Sequence, residues 1–539
     1  MLALREERPR VAWAWLAGLS AALLHLPSVA GPFLFDDLRQ AEAWRTTALL
    51  HTLTSAFLHR GLSQASYLLT RAAWGENPLG FHLVNLAVWT LTVAALFLLA
   101  RALMRPGMPK SFPFLCAAWW AALPVSCESV DYVSGRPGML AALFAITTAA
   151  WAAERARGGL LQRVGVWKIL AGTALGSLLA AACKETGWMT PFLVAPSVFL
   201  ADGRPWRTQA RLWMPPAAAG LASGVVLAMF WRQGPTHAGM RERSFFWMGG
   251  YWMDQVGVWG VEFLPRWVLP FGRWAPNAEI DLPLTDDPGR QMWGGLVFGG
   301  LMLLAWFGRK RLPLAGLALA WMLVSAVPAS VTPLADRGAE RHGLLASAGA
   351  ALLAGSLLAG VWARKGLWRA GAVTALAAMA LMVPARAGAW GSPAAFWADA
   401  LRKTPLKERA SYNYARSQDE AGRLEAALAF YRRADLTTPG QAKLPSAMAL
   451  CLARLGRYEE AATAYARATD LELAAIRMGM QPRQHAGLLA VDAHNRIRIL
   501  LALGRREEAR RVCEEVLTLP TVGRYPPLKE DAKELGISP

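Results

Sequence analysis

The apolar residues of this 539-residue chain are concentrated in one region, and that distribution limits the folds it can adopt. Hydrophobic residues make up 54% of the sequence and charged residues only 18%, whereas soluble domains carry about 25% charged residues. The apolar excess lies within residues 12–386, while residues 387–539 resemble an ordinary soluble segment. We therefore predict an all-α polytopic membrane domain over 1–386, followed by a soluble domain over 387–539.

The apolar stretches predict about eleven transmembrane helices, although several are shorter than the roughly 20 residues that a bilayer requires. They lie near 12–30, 79–100, 111–126, 137–153, 169–183, 187–201, 212–231, 291–307, 312–331, 343–363 and 370–386. Every second connection between them is basic, which is typical of cytoplasmic loops. This alternation predicts a cytoplasmic N-terminus and a C-terminal domain on the outer side. Because the basic residues form small clusters between spans, the net charge of +19 does not indicate a nucleic-acid partner.

Two of the outward connections, 31–78 and 232–290, are too long to be simple turns. The first contains LLHTLTSAFLHRGL and the second WMDQVGVWGVEFLPRWVLPF, both with a helix-like apolar pattern. We expect these stretches to form amphipathic helices that lie in the outer membrane interface.

A repeated pattern occupies residues 408–520. GRLEAALAFYRRA at 422–434 recurs 34 residues later as GRYEEAATAYARA, and GRREEARRVCEEV follows at 504–516. Glycine, then alanine five residues later, a bulky residue at nine and a small one at twelve is typical of the second helix of a tetratricopeptide repeat. We therefore predict a tetratricopeptide-repeat α-solenoid of about three repeats.

Many ionisable residues at the ends of the predicted spans fall on the outward side. They include Asp36, Asp37, Arg60, His82, Glu128, Arg136, Lys184, Glu185, Glu340 and Arg341. Charges at membrane depth are costly, so they usually pair with one another or line a cavity. The alternative for any one of them is a solvated loop: the Asp36–Asp37 pair could mark only the end of the first helix.

This combination of side chains suits a lipid-linked sugar phosphate. Arginine and lysine can bind the phosphate and stabilise its charge as it leaves, and a carboxylate can accept the proton of an attacking hydroxyl. The acids are scattered and form no dense ligand set, so no cofactor is predicted, although a divalent metal ion is possible in principle. The five widely spaced cysteines indicate neither a disulfide framework nor a metal knuckle.

Several stretches occur in the order of the motifs of one known family. They are FLFDD at 33–37, HRGLSQASYLLTRAAWGENPLGFHLVN at 59–85, LPVSCESVDYVSGRPGMLAALF at 123–144, CKETG at 183–187 and AERHGLLASAG at 339–349. With the repeats, this order resembles the transmembrane and tetratricopeptide repeat O-mannosyltransferases, which have the GT-C fold. The resemblance covers essentially the whole chain.

The resemblance implies a role for each matching residue. Asp36 would be the general base toward the acceptor hydroxyl, and Asp37 would orient the acceptor or Asp36. The cations implied for the donor phosphate are Arg341, Lys184, Arg136 and Arg60. The residues implied to support them are Glu128, Glu185, Glu340 and His82, of which the histidine could equally cap the second span.

The activity implied is transfer of one sugar, with mannose as the first candidate, from a polyprenyl-phosphate donor to a protein hydroxyl. The composition suggests a bacterial inner membrane, with the active site and the repeats in the periplasm, where the repeats could recruit the protein acceptor. Two alternatives stay open. One is a related enzyme that modifies a lipid or a cell-envelope polysaccharide, and the other is a non-catalytic membrane scaffold.

Overall fold

A computed structural model describes residues 9–54, 60–157, 166–203, 253–277, 288–308, 312–331, 338–364, 366–480, 482–519, 522 and 524–537. Within these ranges every regular element is a helix, which confirms the predicted all-α class. The chain divides into two compact units, Met1–Ser392 and Pro393–Pro539, close to the boundary predicted at 386/387.

The helices of the first unit differ widely in length. They are α1 (Ala12–Leu23), α2 (Asp36–Thr46), α3 (Leu49–Thr54), α4 (Leu62–Trp74), α5 (Pro78–Leu103), α6 (Phe112–Ala121), α7 (Cys127–Val130), α8 (Arg136–Ala156), α9 (Val166–Ala181), α10 (Thr190–Asp202), α11 (Leu264–Val268), α12 (Pro288–Gly308), α13 (Pro313–Val331), α14 (Leu344–Ala363) and α15 (Leu367–Ala389). Short 3₁₀ turns follow or precede them at Leu26–Ser28, Pro124–Ser126, Val133–Gly135, Glu185–Met189, Gly272–Trp274 and Glu340–His342, and a π-helical turn covers Val258–Phe263.

Six helices in the described part are long and apolar enough to cross a membrane. They are Pro78–Leu103, Val133–Ala156, Gln291–Gly308, Pro313–Ser330, Leu344–Ala363 and Leu367–Ala389. The predicted number of about eleven is therefore not confirmed.

The other predicted spans form shorter helices. Near 12–30, 111–126 and 169–183 the apolar helices have only 10–17 residues, and α10 has 13. The predicted helix over 111–126 ends at Ala121, because Pro124 opens a 3₁₀ turn and the residues before a proline avoid helical geometry. The span predicted at 212–231 lies outside the described residues.

Helix α12 presents an apolar surface outward. Only 6% of its most apolar 18-residue window is buried within the chain, and Trp293, Leu296, Leu303 and Phe307 are at least 57% exposed. Contiguous exposed surface of this kind suits the hydrocarbon of a bilayer.

Helix α5 is the centre of the first unit. Asn77 caps its first turn by accepting a hydrogen bond from the Leu79 N–H, and Pro78 occupies the first helical position, where no N–H partner is required. The helix packs against α1, α6 and α8, and it buries Trp89 and Phe97 fully. These contacts fix the ends of four helices beside one another.

The long connection 31–78 forms helices α2, α3 and α4. Of the stretch predicted as an amphipathic helix, LLHTLTSAFLHRGL, α3 covers Leu49–Thr54, and its position in the membrane interface stays a prediction. Trp44 stacks on Tyr67 at 4.5 Å and on Phe81 of α5 at 5.2 Å between ring centroids. This aromatic stack holds the connection against the start of α5. Of the other long connection, 232–290, the structure describes 253–277 and 288–290. The predicted stretch WMDQVGVWGVEFLPRWVLPF is helical there over Val258–Phe263 and Leu264–Val268.

The second unit consists of antiparallel helix pairs. Its helices are α16 (Pro393–Lys403), α17 (Glu408–Glu420), α18 (Leu424–Thr437), α19 (Lys443–Arg454), α20 (Tyr458–Arg477), α21 (Pro482–Ala502), α22 (Arg506–Leu517) and α23 (Pro526–Glu534). Pairs α17/α18, α19/α20 and α21/α22 each join through the Gly-Arg dipeptide that opens a sequence repeat.

The three Gly-Arg turns have the same conformation. Gly422, Gly456 and Gly504 have φ of 75°, 76° and 74°, a left-handed region that favours glycine. Five residues after each glycine the repeat places Ala427, Ala461 or Ala509, and all three are fully buried. The small and bulky positions of the repeat therefore face the interior of this unit, whereas its assignment as a tetratricopeptide solenoid stays a prediction.

Candidate active site

Asp36 begins helix α2 on an unusual turn. Phe35, directly before it, has φ of +50°, and only two non-glycine residues in the described ranges have positive φ. The Asp36 backbone N–H donates to the Tyr132 hydroxyl at 3.1 Å, while its side chain is 47% exposed and pairs with the exposed Arg39. Strained backbone of this kind costs about 1–3 kcal/mol and is concentrated at functional sites. Asp36 is thus a fixed yet accessible carboxylate.

Asp37 points the other way and is buried. Its Oδ2 accepts a hydrogen bond from the Leu34 N–H at 3.1 Å, and its Oδ1 accepts from the Ser134 N–H at 2.8 Å and from the Ser134 hydroxyl. Burial raises the pKa of Asp37 to about 7, and the hydrogen bonds lower it by less. Asp37 therefore ties the FLFDD turn to residues 133–135 and contributes to the position of Asp36.

Arg60 is the second non-glycine residue with positive φ, at +64°. Its Nε and Nη2 donate to the two carboxylate oxygens of Glu185, each at 2.8 Å. Both side chains are nearly half exposed, so the bidentate pair lies at an accessible surface. Glu185 is thus the partner of Arg60, one of the four cations that the resemblance assigns to the donor phosphate.

Lys184 and Arg341 meet at the first turn of α8. A Cβ atom added to Gly138 would lie 3.6 Å from the Lys184 Nζ and 3.9 Å from the Arg341 carbonyl oxygen. Burial lowers the pKa of Lys184 to about 8, and the positive charges of Arg60 and Arg341 lower it further. Three cations from segments far apart in the sequence therefore share one electrostatic environment.

Glu128 holds Arg341 in this position. Its Oε2 accepts from the Arg341 backbone N–H at 3.1 Å, and its Oε1 pairs with the Arg341 guanidinium. Glu128 is 2% exposed, whereas the Arg341 side chain is 23% exposed. The buried Glu128 carboxylate therefore holds the Arg341 guanidinium, which is still partly exposed to solvent.

The acidic turn and the cations are linked through Tyr132. Its hydroxyl accepts from the Asp36 N–H, and its ring lies 6.1 Å from the Phe35 ring and 5.5 Å from the Trp390 ring. The charges of Asp37, Asp36 and Arg341 all act on this phenol. The sequence does not predict Tyr132 and Ser134 as site residues. Both belong to CESVDYVSGRPG, the stretch that also contains Glu128.

Arg136 does not fit the phosphate-binding role that the resemblance implies. It is fully buried, and its guanidinium donates to Asn85 Oδ1 at 2.7 Å, to Thr70 Oγ1 at 2.9 Å and to the Phe81 carbonyl at 2.9 Å. It also lies 4.3 Å above the Tyr67 ring. Because its N–H groups are directed to the protein, we assign Arg136 a structural role that joins α4, α5 and α8.

The side chains of Glu340 and His82 are both buried. Glu340 is 2% exposed, and its Oε1 accepts from the Asn277 N–H at 2.7 Å and lies 4.0 Å from the Arg266 Nε. Burial raises the pKa of Glu340 to about 7, although Arg386 and Arg266 lower it in part. His82 is buried on α5, one turn before Asn85. Glu340 therefore supports the 253–277 segment through Asn277 and Arg266.

Comparisons with protein families, with curated proteins and with solved structures found no match to this chain. Function is therefore inferred from the positions of Asp36, Lys184, Arg60 and Arg341 and from the ordered motifs.

Proposed function

We propose that the chain is a membrane glycosyltransferase of the GT-C type, which transfers a sugar from a polyprenyl-phosphate carrier to a protein hydroxyl. The observation that carries the proposal is that the charges of the accessible carboxylate Asp36 and of Arg341 both act on the Tyr132 phenol. Lys184 in turn lies within the electrostatic reach of Arg341 and Arg60. If Asp36 and Arg60 only formed the surface ion pairs with Arg39 and Glu185, the positive φ of Phe35 and of Arg60 would not be needed.

Asp36 is proposed as the general base. Its present partner, Arg39, is 82% exposed, and exposed ion pairs contribute about 0–1 kcal/mol. An acceptor hydroxyl can therefore displace Arg39 at little cost. As the acceptor oxygen bonds to the anomeric carbon, the bond from that carbon to the phosphate breaks, and the hydroxyl proton passes to Asp36.

Lys184, Arg341 and Arg60 are proposed to bind the donor phosphate. They would stabilise the charge that develops on polyprenyl phosphate as it leaves in a single, inverting displacement. The first turn of α8 adds to this binding, because helix N-termini attract anions. Arg136 and Glu340 have no direct role in this proposal.

The location is part of the same proposal. The basic loops favour a cytoplasmic N-terminus, with the site and the C-terminal unit in the periplasm of a bacterial inner membrane. The sugar proposed is mannose, and the tetratricopeptide-like repeats are proposed to recruit the protein acceptor.

The proposal is tested in membranes that contain or lack the chain and are supplied with radiolabelled polyprenyl-phosphate mannose. We expect label on protein and a loss of about 10²–10⁴-fold in transfer with Asp36→Asn, because general bases contribute that much to the rate. Glu42→Gln is the matched control, an acid-to-amide change at an exposed position of the same helix.

Three other outcomes would each reject part of the proposal. Label on lipid or polysaccharide would identify the alternative acceptor class. Full transfer by Asp36→Asn would reject the mechanism. No transfer by any membrane containing the chain, with a phenotype only from damage to the repeats, would support a scaffold.

A further inference from the structure

Three ligand-type side chains meet in a buried cluster outside the candidate active site. His25 follows α1, while Cys127 and Asp131 belong to the segment around α7, more than 100 residues further along the chain. Each is at most 2% exposed. One nitrogen, one sulfur and one oxygen from these residues all lie within 4.8 Å of one another.

The hydrogen bonds of this cluster are incomplete. His25 Nδ1 lies 2.8 Å from Asp131 Oδ1, and the Ser28 hydroxyl donates to the same oxygen at 2.8 Å. Within the described part of the chain, His25 Nε2 and Asp131 Oδ2 are buried and have no hydrogen-bond partner. Buried polar atoms of native proteins are nearly always satisfied, so these two call for an explanation.

The donor set has a definite chemistry. Imidazole, thiolate and carboxylate together suit zinc and related transition metals, whereas calcium and magnesium take oxygen ligands. A divalent ion with one thiolate, one carboxylate and a neutral imidazole has no net charge. The Cys127 thiol, which donates to the Val383 carbonyl at 3.7 Å, must give up its proton to bind the ion.

We propose that His25, Cys127 and Asp131 form a binding site for a zinc-class divalent metal ion. Zinc lies about 2.0–2.3 Å from such ligands, so ligands of a tetrahedral site are roughly 3.3–3.8 Å apart. The 2.8 Å contact between His25 Nδ1 and Asp131 Oδ1 is shorter than this range, and the set extends to as much as 4.8 Å, so the side chains must shift to bind an ion. The Ser28 hydroxyl lies beside the set and can supply or orient a fourth ligand.

The ion would join the end of α1 to the segment that carries Tyr132. Because the Tyr132 hydroxyl accepts a hydrogen bond from the Asp36 N–H, the ion would help to hold Asp36 in position. The proposal goes beyond the transferase function and does not depend on it.

The test uses the full chain, purified in detergent, stripped with a chelator and titrated with Zn²⁺ or Co²⁺. We expect about one equivalent of metal per chain, an absorption band from thiolate-bound cobalt, and a rise in thermal stability on adding Zn²⁺. Cys127→Ala should abolish the cobalt–thiolate band and weaken binding on the order of 100-fold. Cys116→Ala is the matched control, because Cys116 is also fully buried but belongs to no such cluster in the described residues.

The wild-type chain alone can overturn the proposal, so a variant that fails to fold does not prevent the test. Substoichiometric metal without a thiolate band would mean that the cluster is only a hydrogen-bonded His–Asp pair beside a thiol. Equal binding by wild type and by Cys127→Ala would mean that any metal binds elsewhere. Ser28→Ala is a milder second variant, expected to weaken binding roughly tenfold.

Discussion

Each of the two units is stabilised internally, but the contacts within one unit join residues much farther apart in the sequence than those within the other. In the second unit the Arg457 N–H donates to the Leu452 carbonyl five residues earlier, and the Arg454–Asp419 pair joins residues 35 apart. In the first unit the pair between Arg341 and Glu128 joins residues 213 apart. The repeated unit is therefore encoded locally, whereas the candidate site exists only where distant segments meet.

The largest expected difference between the units is in the coupling of their ion pairs. In a double-mutant cycle with Arg341→Met and Glu128→Gln, we expect a coupling of about 2–3 kcal/mol in unfolding free energy, because a buried carboxylate loses its partner. The comparison pair is Arg454→Met with Asp419→Asn in the second unit, with an expected coupling below about 1 kcal/mol. Thermal unfolding of the purified chain measures both. Equal couplings would break the contrast between the units.

The next effect is the pH dependence of donor binding, which tests whether Lys184 binds the donor phosphate together with Arg341 and Arg60. Because the pKa of Lys184 is lowered to about 8, its ammonium loses its proton as the pH rises through 8. We expect kcat/KM for the polyprenyl-phosphate donor to fall above pH 8, by about tenfold per pH unit. Lys184→Arg stays charged, so its profile should remain flat to higher pH. Identical profiles would remove Lys184 from phosphate binding.

A smaller effect tests the local code of the second unit through two glycines. Gly456→Ala should destabilise this unit by about 1 kcal/mol, because its φ of +76° is unfavourable for a side chain although no atom lies within 4 Å of the new Cβ. Gly487→Ala, in the exposed interior of α21, should stabilise it by about 0.5–1 kcal/mol. Unfolding by denaturant compares the two. A stabilising Gly456→Ala would contradict the role of the turn.

A last effect is the contribution of a buried carboxyl of the first unit to stability, which is spread over a wide pH range. The pKa of Glu340 is raised from 4.5 to about 7, so the folded state keeps a proton that the unfolded state loses between these values. Stability from Glu340 is therefore fully present below pH 4.5 and is lost as the pH rises to 7. In the wild type this contribution should lower the melting temperature by about 1–2 °C per pH unit between pH 4.5 and 7, and Glu340→Gln should remove that decrease.

The control for Glu340→Gln is the same change at Glu420, which is exposed at the end of α17. Its melting curve should keep the pH dependence of the wild type. If Glu340→Gln also keeps it, the carboxyl is ionised in the fold throughout this range.

Much of the second unit could be predicted because its glycines and small residues recur at fixed spacing. The same reasoning predicted about eleven membrane spans, and six helices in the described residues are long and apolar enough to cross a membrane. Pro124 shows one reason for the difference, because the stretch 111–126 ends as a helix at Ala121 before it. In the candidate site, the sequence identified Asp36, Lys184 and Arg341 from their positions at span ends. It could not separate Arg136 from them, because a buried arginine and an accessible one look alike without their neighbours.

The sequence by itself determined the helical class, the division into two units and the turn of each repeat, since these depend on local composition and on glycine at fixed positions. Only the tertiary structure decided that Asp36 is accessible and Asp37 buried, that Glu128 anchors Arg341, and that His25 meets Cys127 and Asp131. The physical reason is that burial and charge pairing depend on which distant segments pack together, and side-chain chemistry follows from both.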